Sequence, residues 1–315
     1  RRQIFRLSRS GKNSVKLLFY ALLLAYAALR MVFIALSKRG ETSPVKEALA
    51  LKHFTAEDLR QGKEYHDSGF GMSIARKLMD FLFPIIILAS GLSLYFSGKF
   101  LALAGGRAWE QVIIYALVYS AAALILDLPF KYYFEYVKEH RFGFSNMTRK
   151  DWLAYNLKAV SVGTVISLFL VSAAYLLLRH VSFHWVWLLP VFVLLFEMFM
   201  IVIYPYAILP LFYKKTVYEH NEYTRPLLAL AEKSGIKINK VYQINESRYS
   251  KHTNAFFTGL GAVKSIYLYD TLIKNNTPQQ TASVLAHEIG HWKHKHIPKN
   301  ICLNFAASIV FSSVL

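Results

Sequence analysis

The stretch TPQQTASVLAHEIGHWK, residues 277–293, has the pattern of one capped helix. Its start combines an N-cap residue, a proline at the first helical position and a capping-box glutamine, which are Thr277, Pro278 and Gln280. The apolar residues at 284–286 predict that one face of this helix packs against the protein. We expect the helix to run to about His296 and to be ended by Pro298.

Two histidines of this helix, His287 and His291, are four residues apart and therefore lie one turn apart on the same face. Both imidazoles can reach one Zn²⁺ ion at about 2 Å from each nitrogen. Glu288 is placed to take a proton from a water molecule that the zinc activates. The pattern predicts one zinc ion, with His287 and His291 as metal ligands and Glu288 as the catalytic base; the alternative is a chance occurrence of the motif.

The third protein ligand of this zinc is not evident from the motif. A metzincin has Gly at position 294 and His at position 297, but this chain has His294 and Ile297, which excludes that class. His294 lies about 10 Å along the axis, too far to share the ion, and His296 is expected on the opposite helix face. We expect both to lie outside the ligand set, either as neighbours of the ligands or facing the surface or the lipid headgroups. No Asp or Glu follows the motif. We therefore expect the third ligand, a Glu, beyond Leu315, or else an upstream residue that the pattern does not identify.

Apolar blocks long enough for a bilayer dominate the rest of the chain, of which 55% is hydrophobic and only 18% charged. Six segments meet or approach the required length, namely 17–36, 81–96, 112–126, 159–178, 185–213 and the start of a sixth at 301–315. Six such blocks argue against buried helices of a soluble protein. We predict transmembrane helices over 1–213 and a zinc metalloprotease region over 214–300. Glu197, inside the fifth segment, is an unassigned functional candidate.

The net charge of +18 is distributed asymmetrically among the loops. Loops 37–80, 127–158 and 214–300 carry 8, 6 and 13 Lys and Arg residues, against 2 and 1 in loops 97–111 and 179–184. The positive-inside rule then places the zinc region in the cytosol, although six basic residues near the N-terminus have the opposite bias. Because the basic residues are spread over loops and form no stripe, we expect a lipid-bilayer partner and no nucleic acid.

The region between the last two apolar segments contains alternating short helices and strands. Helical spacing covers 225–234 and stops at Gly235, and strands are predicted at 241–244, 254–257 and 265–269. The strand at 254–257 would offer a free edge beside the catalytic helix, on which an extended substrate could add as a further strand. Asn254 could hold a substrate backbone group, or it could simply form a turn before the strand.

Several linked motifs resemble the CAAX prenyl endopeptidases of the sterile-24 type, which are integral-membrane zinc metalloproteases. The similarity covers about residues 125–300. In chain order, the segments that carry it are Phe142-Gly143-Phe144-Ser145, Tyr204-Pro205, Pro210-Leu211-Phe212, His252-Thr253-Asn254-Ala255-Phe256-Phe257-Thr258-Gly259, Ile266-Tyr267-Leu268-Tyr269-Asp270-Thr271-Leu272 and Leu285–Lys293 with His296.

The resemblance implies a mainly α fold: a multi-pass helical barrel of seven spans, six of them visible, with a small α+β region that carries the HExxH helix. It implies removal of the C-terminal tripeptide from farnesylated CAAX proteins, substrate contacts at Asn254, Ala255 and Phe256, and a third zinc ligand, a Glu, on a later helix. It also implies a monomer in the endoplasmic reticulum membrane of a eukaryote or the inner membrane of a bacterium. Phe256 stands where the family usually has Tyr, and His294 where it has a small or apolar residue.

Two other functions stay open at this point. One is a membrane quality-control zinc protease of the bacterial heat-shock type, which would cleave unprenylated peptides. The other, outside the enzymes, is a transporter with a chance HExxH motif, which would bind no zinc.

Overall fold

The computed structural model describes residues 44–52, 54–181, 184–259 and 263–314. The predicted segment 17–36 lies outside these described residues. The chain divides into two compact units, residues 1–90 and 91–315, which are described separately.

The described part of the first unit is helical. Its helices are α1 (Pro44–Ala50), α2 (Ala56–Ser68) and α3 (Phe70–Ala89). The Thr55 side chain accepts a hydrogen bond from the backbone N–H of Asp58, and the Asp58 carboxylate accepts one from the backbone N–H of Thr55. This reciprocal capping box satisfies two N–H groups that a helix start otherwise leaves free.

The described part of the second unit contains a small sheet with its own helices and, outside the sheet region, five further helices. These five are α4 (Leu92–Leu103), α5 (Ala108–Arg141), α6 (Arg149–His180), α7 (Trp185–Phe212) and α11 (His296–Val314). Among the described residues, three single helices are long and apolar enough to cross a membrane. They are α5, α6 and α7, with mean hydropathies of 2.0, 2.1 and 2.6. The predicted segment 81–96 is divided between α3 and α4, because the chain turns at Gly91 with a φ of 77°.

Prolines interrupt two of these long helices. In α5, Pro129 is followed by a π-helical segment at Tyr133–Lys138, and in α7 the π-helical segment Tyr204–Ile208 contains Pro205. A proline within a helix lacks the N–H that completes the regular hydrogen-bond ladder, and wider turns often accommodate the defect. Both interruptions lie near the C-terminal ends of their helices. Helix α7 leads directly into residues 214–300, the predicted metalloprotease region.

A four-stranded sheet forms the centre of that region. Its strands are β1 (Lys215–Val217), β2 (Lys237–Ile244), β3 (Ala255–Thr258) and β4 (Val263–Tyr269), in the order β1-β2-β4-β3. Strands β2 and β4 are parallel, and the outer two pair antiparallel with their neighbours. Among the residues that the structure describes, β3 pairs with β4 alone, which confirms the predicted edge strand. Strand β1 was not predicted, because three residues are too few to show an alternating pattern.

Helices cover one face of the sheet: α8 (Asn221–Lys233), α9 (Asp270–Asn275) and α10 (Pro278–Lys293). Leu227 of α8 and Leu285 of α10 are fully buried against Ile266 and Leu268 of β4. On the opposite face, Leu209 at the end of α7 packs in a cluster with buried residues of the sheet. The sheet therefore lies between soluble helices and the end of a membrane-type helix.

A polar contact joins α7 to α11. The Asn304 amide donates a hydrogen bond of 3.1 Å to Glu197 Oε1, and Ser312 Oγ donates one of 2.8 Å to the carbonyl of Val186. In a bilayer such contacts replace hydrogen bonds that water cannot supply. Glu197 therefore has a helix-pairing role in the structure.

We expect Glu197→Leu and Asn304→Leu each to lower the thermal midpoint of the purified protein. The double variant should lose less than the sum, with a coupling of about 0.6 kcal/mol, because both single changes break the same hydrogen bond. Purely additive losses in a double-mutant cycle would contradict this role.

Candidate metal centre

The N-terminus of α10 has the predicted cap. The backbone N–H of Thr277 donates to Gln280 Oε1 at 2.8 Å, and the backbone N–H of Gln280 donates to Thr277 Oγ1 at 3.3 Å. Pro278 occupies the first helical position, where no N–H is needed. The capping box fixes where the helix begins and so sets which residues face the sheet.

A stripe of three buried residues holds α10 in its rotational position. Thr281 and Leu285 are 0% exposed and Ile289 is 5% exposed, at a spacing of four residues that places all three on one helix face. His287 and His291 follow the same spacing on the other side and are exposed. The apolar contact with the sheet thus turns both imidazoles outward.

The exposed side of α10 brings three potential ligand atoms together. The Nε2 atoms of His287 and His291 are 3.0 Å apart, and the ligand atoms of His287, Glu288 and His291 all lie within 4.8 Å of one another. Within the described ranges, no other group of three His, Cys, Asp or Glu residues is as close. Two nitrogens bound to one zinc at 2.0–2.1 Å in tetrahedral geometry would be about 3.3 Å apart. The pair therefore fits zinc, and the nitrogen and oxygen donors are of the type that zinc prefers.

The helix end and the helix face that we expected for His296 were wrong. We expected one helix through residue 296, but α10 ends at Lys293, Lys295 adopts a φ of 54°, and α11 begins at His296. Pro298 therefore lies in the first turn of α11, where a missing N–H costs little, and does not end α10. The turn carries the His296 ring back toward the zinc motif.

His296 contacts the ring nitrogen of His291 that faces away from His287. The Nδ1 atoms of His291 and His296 are 2.7 Å apart, whereas His291 Nε2 faces His287. A partner at the second nitrogen fixes the orientation and tautomer of a metal-binding imidazole. The ring centre of His294 lies 5.8 Å from that of His296, so His294 belongs to the surroundings of the pair.

Strand β3 places the predicted substrate-contact residues beside α10. Ala255 is 1% exposed and belongs to the core, whereas the half-buried Phe256 ring stacks on Tyr267 at 5.1 Å between centroids. The Asn254 carbonyl accepts a hydrogen bond from the Tyr269 N–H at 3.0 Å, whereas its side-chain Oδ1 accepts one from the Ala255 N–H at 2.8 Å. The groups of β3 that are best placed to contact a substrate are therefore the backbone N–H and carbonyl groups of its outer edge.

The loop between α5 and α6 holds the segment that precedes β3. Ser145 and Ser250 form an antiparallel bridge, the N–H of Asn146 donates to the Tyr249 carbonyl at 3.0 Å, and the N–H of Lys251 donates to the Phe144 carbonyl at 2.8 Å. Gly143, which precedes this contact, has a φ of 73°, which a side chain would strain. The glycine and phenylalanines of this motif are thus part of the support of the edge strand.

Sequence reasoning missed a second group of polar residues. His252 Nε2 lies 2.8 Å from Glu139 Oε2, and Glu246 is 7% exposed. Burial raises the pKa of the Glu246 carboxyl to about 7, with a further contribution from the nearby Asp270 carboxylate. No local spacing could have revealed the pair, because 113 residues separate its members.

The fold and site define a class of protein: a multi-helix membrane protein with a HExxH metallopeptidase region. Residues 35–214 match the family described as CAAX prenyl protease N-terminal, five membrane helices, and residues 219–315 match Peptidase family M48. The chain belongs to this peptidase family, and the resemblance found in its sequence is confirmed.

Three similar proteins illustrate the relationship. CAAX prenyl protease 1 of Saccharomyces cerevisiae is 33% identical over 59% of this chain and 42% of its own length. The CAAX prenyl protease 1 homolog of Dictyostelium discoideum is 29% identical over 79% of this chain and 60% of its own length. The crystal structure of S. mikatae Ste24p has a TM-score of 0.74 and 26% identity over 83% of this chain and 62% of that one. This chain therefore spans less than two thirds of each of these proteins.

We expect His296→Ala to weaken zinc binding by about 10- to 100-fold, because the change removes the partner that orients His291. The dissociation constant would be measured by competition with a fluorescent zinc chelator. His294→Ala is the matched control and should change the constant little. Equal effects of the two substitutions would contradict the contact.

Proposed function

We propose that this protein is an integral-membrane zinc endopeptidase that removes the C-terminal tripeptide from prenylated, in particular farnesylated, CAAX proteins. One observation carries the proposal: the HExxH helix α10 is held by its buried face against a sheet whose free edge strand, β3, lies beside the motif. The names of the relatives support the substrate class, since two of the three are CAAX prenyl proteases or homologs.

The zinc would be held by His287 and His291, with a third ligand, a Glu, supplied by sequence beyond Leu315. When bound, zinc lowers the pKa of water and polarises the scissile carbonyl of the substrate. The remaining steps belong to side chains of the chain itself. His296 orients the His291 ring through the 2.7 Å contact between their Nδ1 atoms.

Glu288 would act as the general base and then as the general acid. Its carboxylate lies with the two imidazoles inside a 4.8 Å group and is half-buried at the border of the apolar stripe. It takes a proton from the attacking water and returns a proton to the amine that leaves the cleaved peptide bond. Because the helix holds the carboxylate on one side of the histidine pair, the proton moves over a short, fixed path.

The substrate would bind to β3 as an additional strand. Residues 254, 256 and 258 direct their backbone groups toward β4, since the Tyr269 N–H bonds to the Asn254 carbonyl and the direction alternates along the strand. The N–H and carbonyl of Phe257 therefore face outward. The outward N–H of Ala255 is occupied by the Asn254 side chain, which would have to move or would mark the end of the substrate strand.

The protein would be embedded in a lipid bilayer with its zinc site on one defined side. The helices α5, α6 and α7 can each cross a bilayer, and the basic loops would place the zinc site on the cytosolic side. The protein would act as a monomer on a prenylated peptide within the lipid bilayer, in the endoplasmic reticulum of a eukaryote or the inner membrane of a bacterium. The contacts found within the motif give no support to a transporter with a chance HExxH.

The first test compares Glu288→Gln with the unchanged protein on a farnesylated CAAX peptide and on the same peptide without the farnesyl group. We expect cleavage of the farnesylated peptide to fall by about 10²- to 10⁴-fold, because the general base is lost, whereas zinc content stays the same. Glu232→Gln, an exposed position on α8, is the matched control.

Two results would contradict the proposal. Full activity of Glu288→Gln would exclude this residue as the base. Cleavage of the unprenylated peptide alone would favour a quality-control protease.

A second test uses the alternation of backbone directions in a strand. If the substrate adds to β3 as a strand, only every second residue of the peptide can form hydrogen bonds to β3. Farnesylated peptides would each carry one N-methyl group at a different backbone nitrogen upstream of the scissile bond. We expect KM to rise at alternate positions only, because only every second N–H of the peptide would point to β3. A uniform effect of methylation at all positions would rule out strand addition.

A further inference from the structure

A cavity of about 370 Å³ lies within the second unit, and its wall includes His252, three residues before the edge strand β3. Five parts of the chain surround it: the end of α5 with its π-helical segment, the loop between α5 and α6, the first turns of α6, Tyr213 directly after α7, and the segment between β2 and β3. Its volume is in the range of small-ligand sites. Its polar walls include Glu135, Glu139, Asn156, Glu246 and His252.

Two oxygen atoms on the cavity wall have no hydrogen-bond donor among the described residues. They are Asn156 Oδ1 and Glu246 Oε2, on residues that are 6% and 7% exposed. The Asn156 amide nitrogen already donates to Glu135 at 3.2 Å and to the Trp152 carbonyl at 3.0 Å, so its oxygen is what it offers the cavity. A buried acceptor without a partner costs free energy. Both oxygen atoms could therefore accept hydrogen bonds from a ligand in the cavity.

The charge of the cavity indicates a cationic ligand. Glu135 and Glu139 are each near a basic side chain, Lys131 at 3.6 Å and His252 at 2.8 Å. Glu246 has no Lys, Arg or His within ion-pair distance among the described residues. The cavity thus has an excess of carboxylates, one of them buried.

The remaining walls suit an organic cation better than a bare metal ion. Six aromatic rings line the cavity, those of Phe134, Phe144, Trp152, Tyr155, Tyr213 and Tyr249. Aromatic faces attract alkylammonium and guanidinium groups. The carboxylates and His252 do not converge as the HExxH group does, since no second group of ligand atoms within 4.8 Å is found among the described residues.

We propose that this cavity is a subsite for a basic side chain, a lysine ammonium or arginine guanidinium, of the peptide that lies along β3. The inference rests on the proposed function for the source of the cation, and on the cavity itself for its chemistry. His252 lines the cavity and precedes Ala255, the first residue of β3, by three residues, so the wall is within about 11 Å of the start of β3 along the chain. The His252 carbonyl accepts a 2.7 Å hydrogen bond from Thr271 Oγ1, which fixes this part of the wall.

The raised pKa of Glu246 fits a buried carboxyl that has no basic side chain within ion-pair distance among the described residues. The groups that face it, or that are coupled to its charge, are Tyr155, Tyr213, His252, Tyr269 and Asp270. Of these, only His252 can carry a positive charge, and it is already next to Glu139. An ammonium group in the cavity would lower the pKa of Glu246 and release a proton near pH 7.

Peptide specificity provides the first measurement. Substrate peptides would carry lysine or norleucine, which has a similar shape without the charge, at one position at a time upstream of the scissile bond. We expect one position at which lysine raises kcat/KM by about 10-fold or more, and we expect this ratio to fall to near one in Glu246→Gln. The control Glu232→Gln should keep the ratio. A ratio that is absent at every position, or that survives in Glu246→Gln, would overturn the proposal.

A binding measurement separates the cavity from catalysis. Butylammonium, with butanol as the uncharged control, would be titrated against the protein and its thermal midpoint followed. A rise with butylammonium in the unchanged protein and not in Glu246→Gln supports the cation site even if no peptide is cleaved. Butylammonium binding together with normal cleavage but no lysine preference would show a site for free amines and overturn the substrate assignment.

Folding of the variant can be checked through pH. The folded pKa of Glu246 is raised to about 7 from 4.5, so the folded state is favoured by protonation, and this stability is lost as pH rises through 7. Glu246→Gln should therefore raise the thermal midpoint by several degrees at pH 8 and change it little at pH 4.5. A lower midpoint at pH 8 would contradict a buried carboxylate that has no cationic partner.

Discussion

The packing of one face of α10 against the sheet is the contact on which the metal centre depends. Leu285 and Ile289 together bury side chains worth about 3–6 kcal/mol of hydrophobic free energy, which is enough to fix the rotation of the helix. A rotation by one residue would turn both imidazoles by about 100°. The geometry of the HExxH group is thus determined by apolar residues that never meet the metal.

The same sheet connects the centre to the membrane-type helices. Leu209, Ile244 and Tyr267 form a buried cluster on the face away from α10, so the end of α7 packs directly on the sheet. The ammonium of Lys215 donates to the carbonyl of Pro205 at 3.1 Å, inside the π-helical segment. A π-helical segment leaves some carbonyls without their usual helical N–H partner. Lys215, the first residue of β1, supplies a hydrogen-bond donor to one of these carbonyls.

Local patterns predicted the parts of the structure that local forces determine. The capping box at Thr277, the HExxH group and the edge strand were all correctly placed from sequence, because each depends on residues within a few positions of one another. His296 was misplaced, since nothing in the sequence showed that the helix stops at Lys293. The cavity could not be predicted at all, because its walls come from parts of the chain that are distant in sequence.

Binding and bond cleavage would be carried by different parts of this chain. The groups proposed for cleavage are on α10, whereas the edge strand is positioned from the loop between α5 and α6, through the bridge of Ser145 and Ser250. The same loop and helix ends form most of the cavity wall. Substitutions near Glu139 or Asn156 could therefore change which peptide is selected without altering the zinc ligands, since the two sets share no hydrogen bond among the described residues. Selectivity in such an arrangement would change through the loop between α5 and α6 while the chemistry of α10 stays constant.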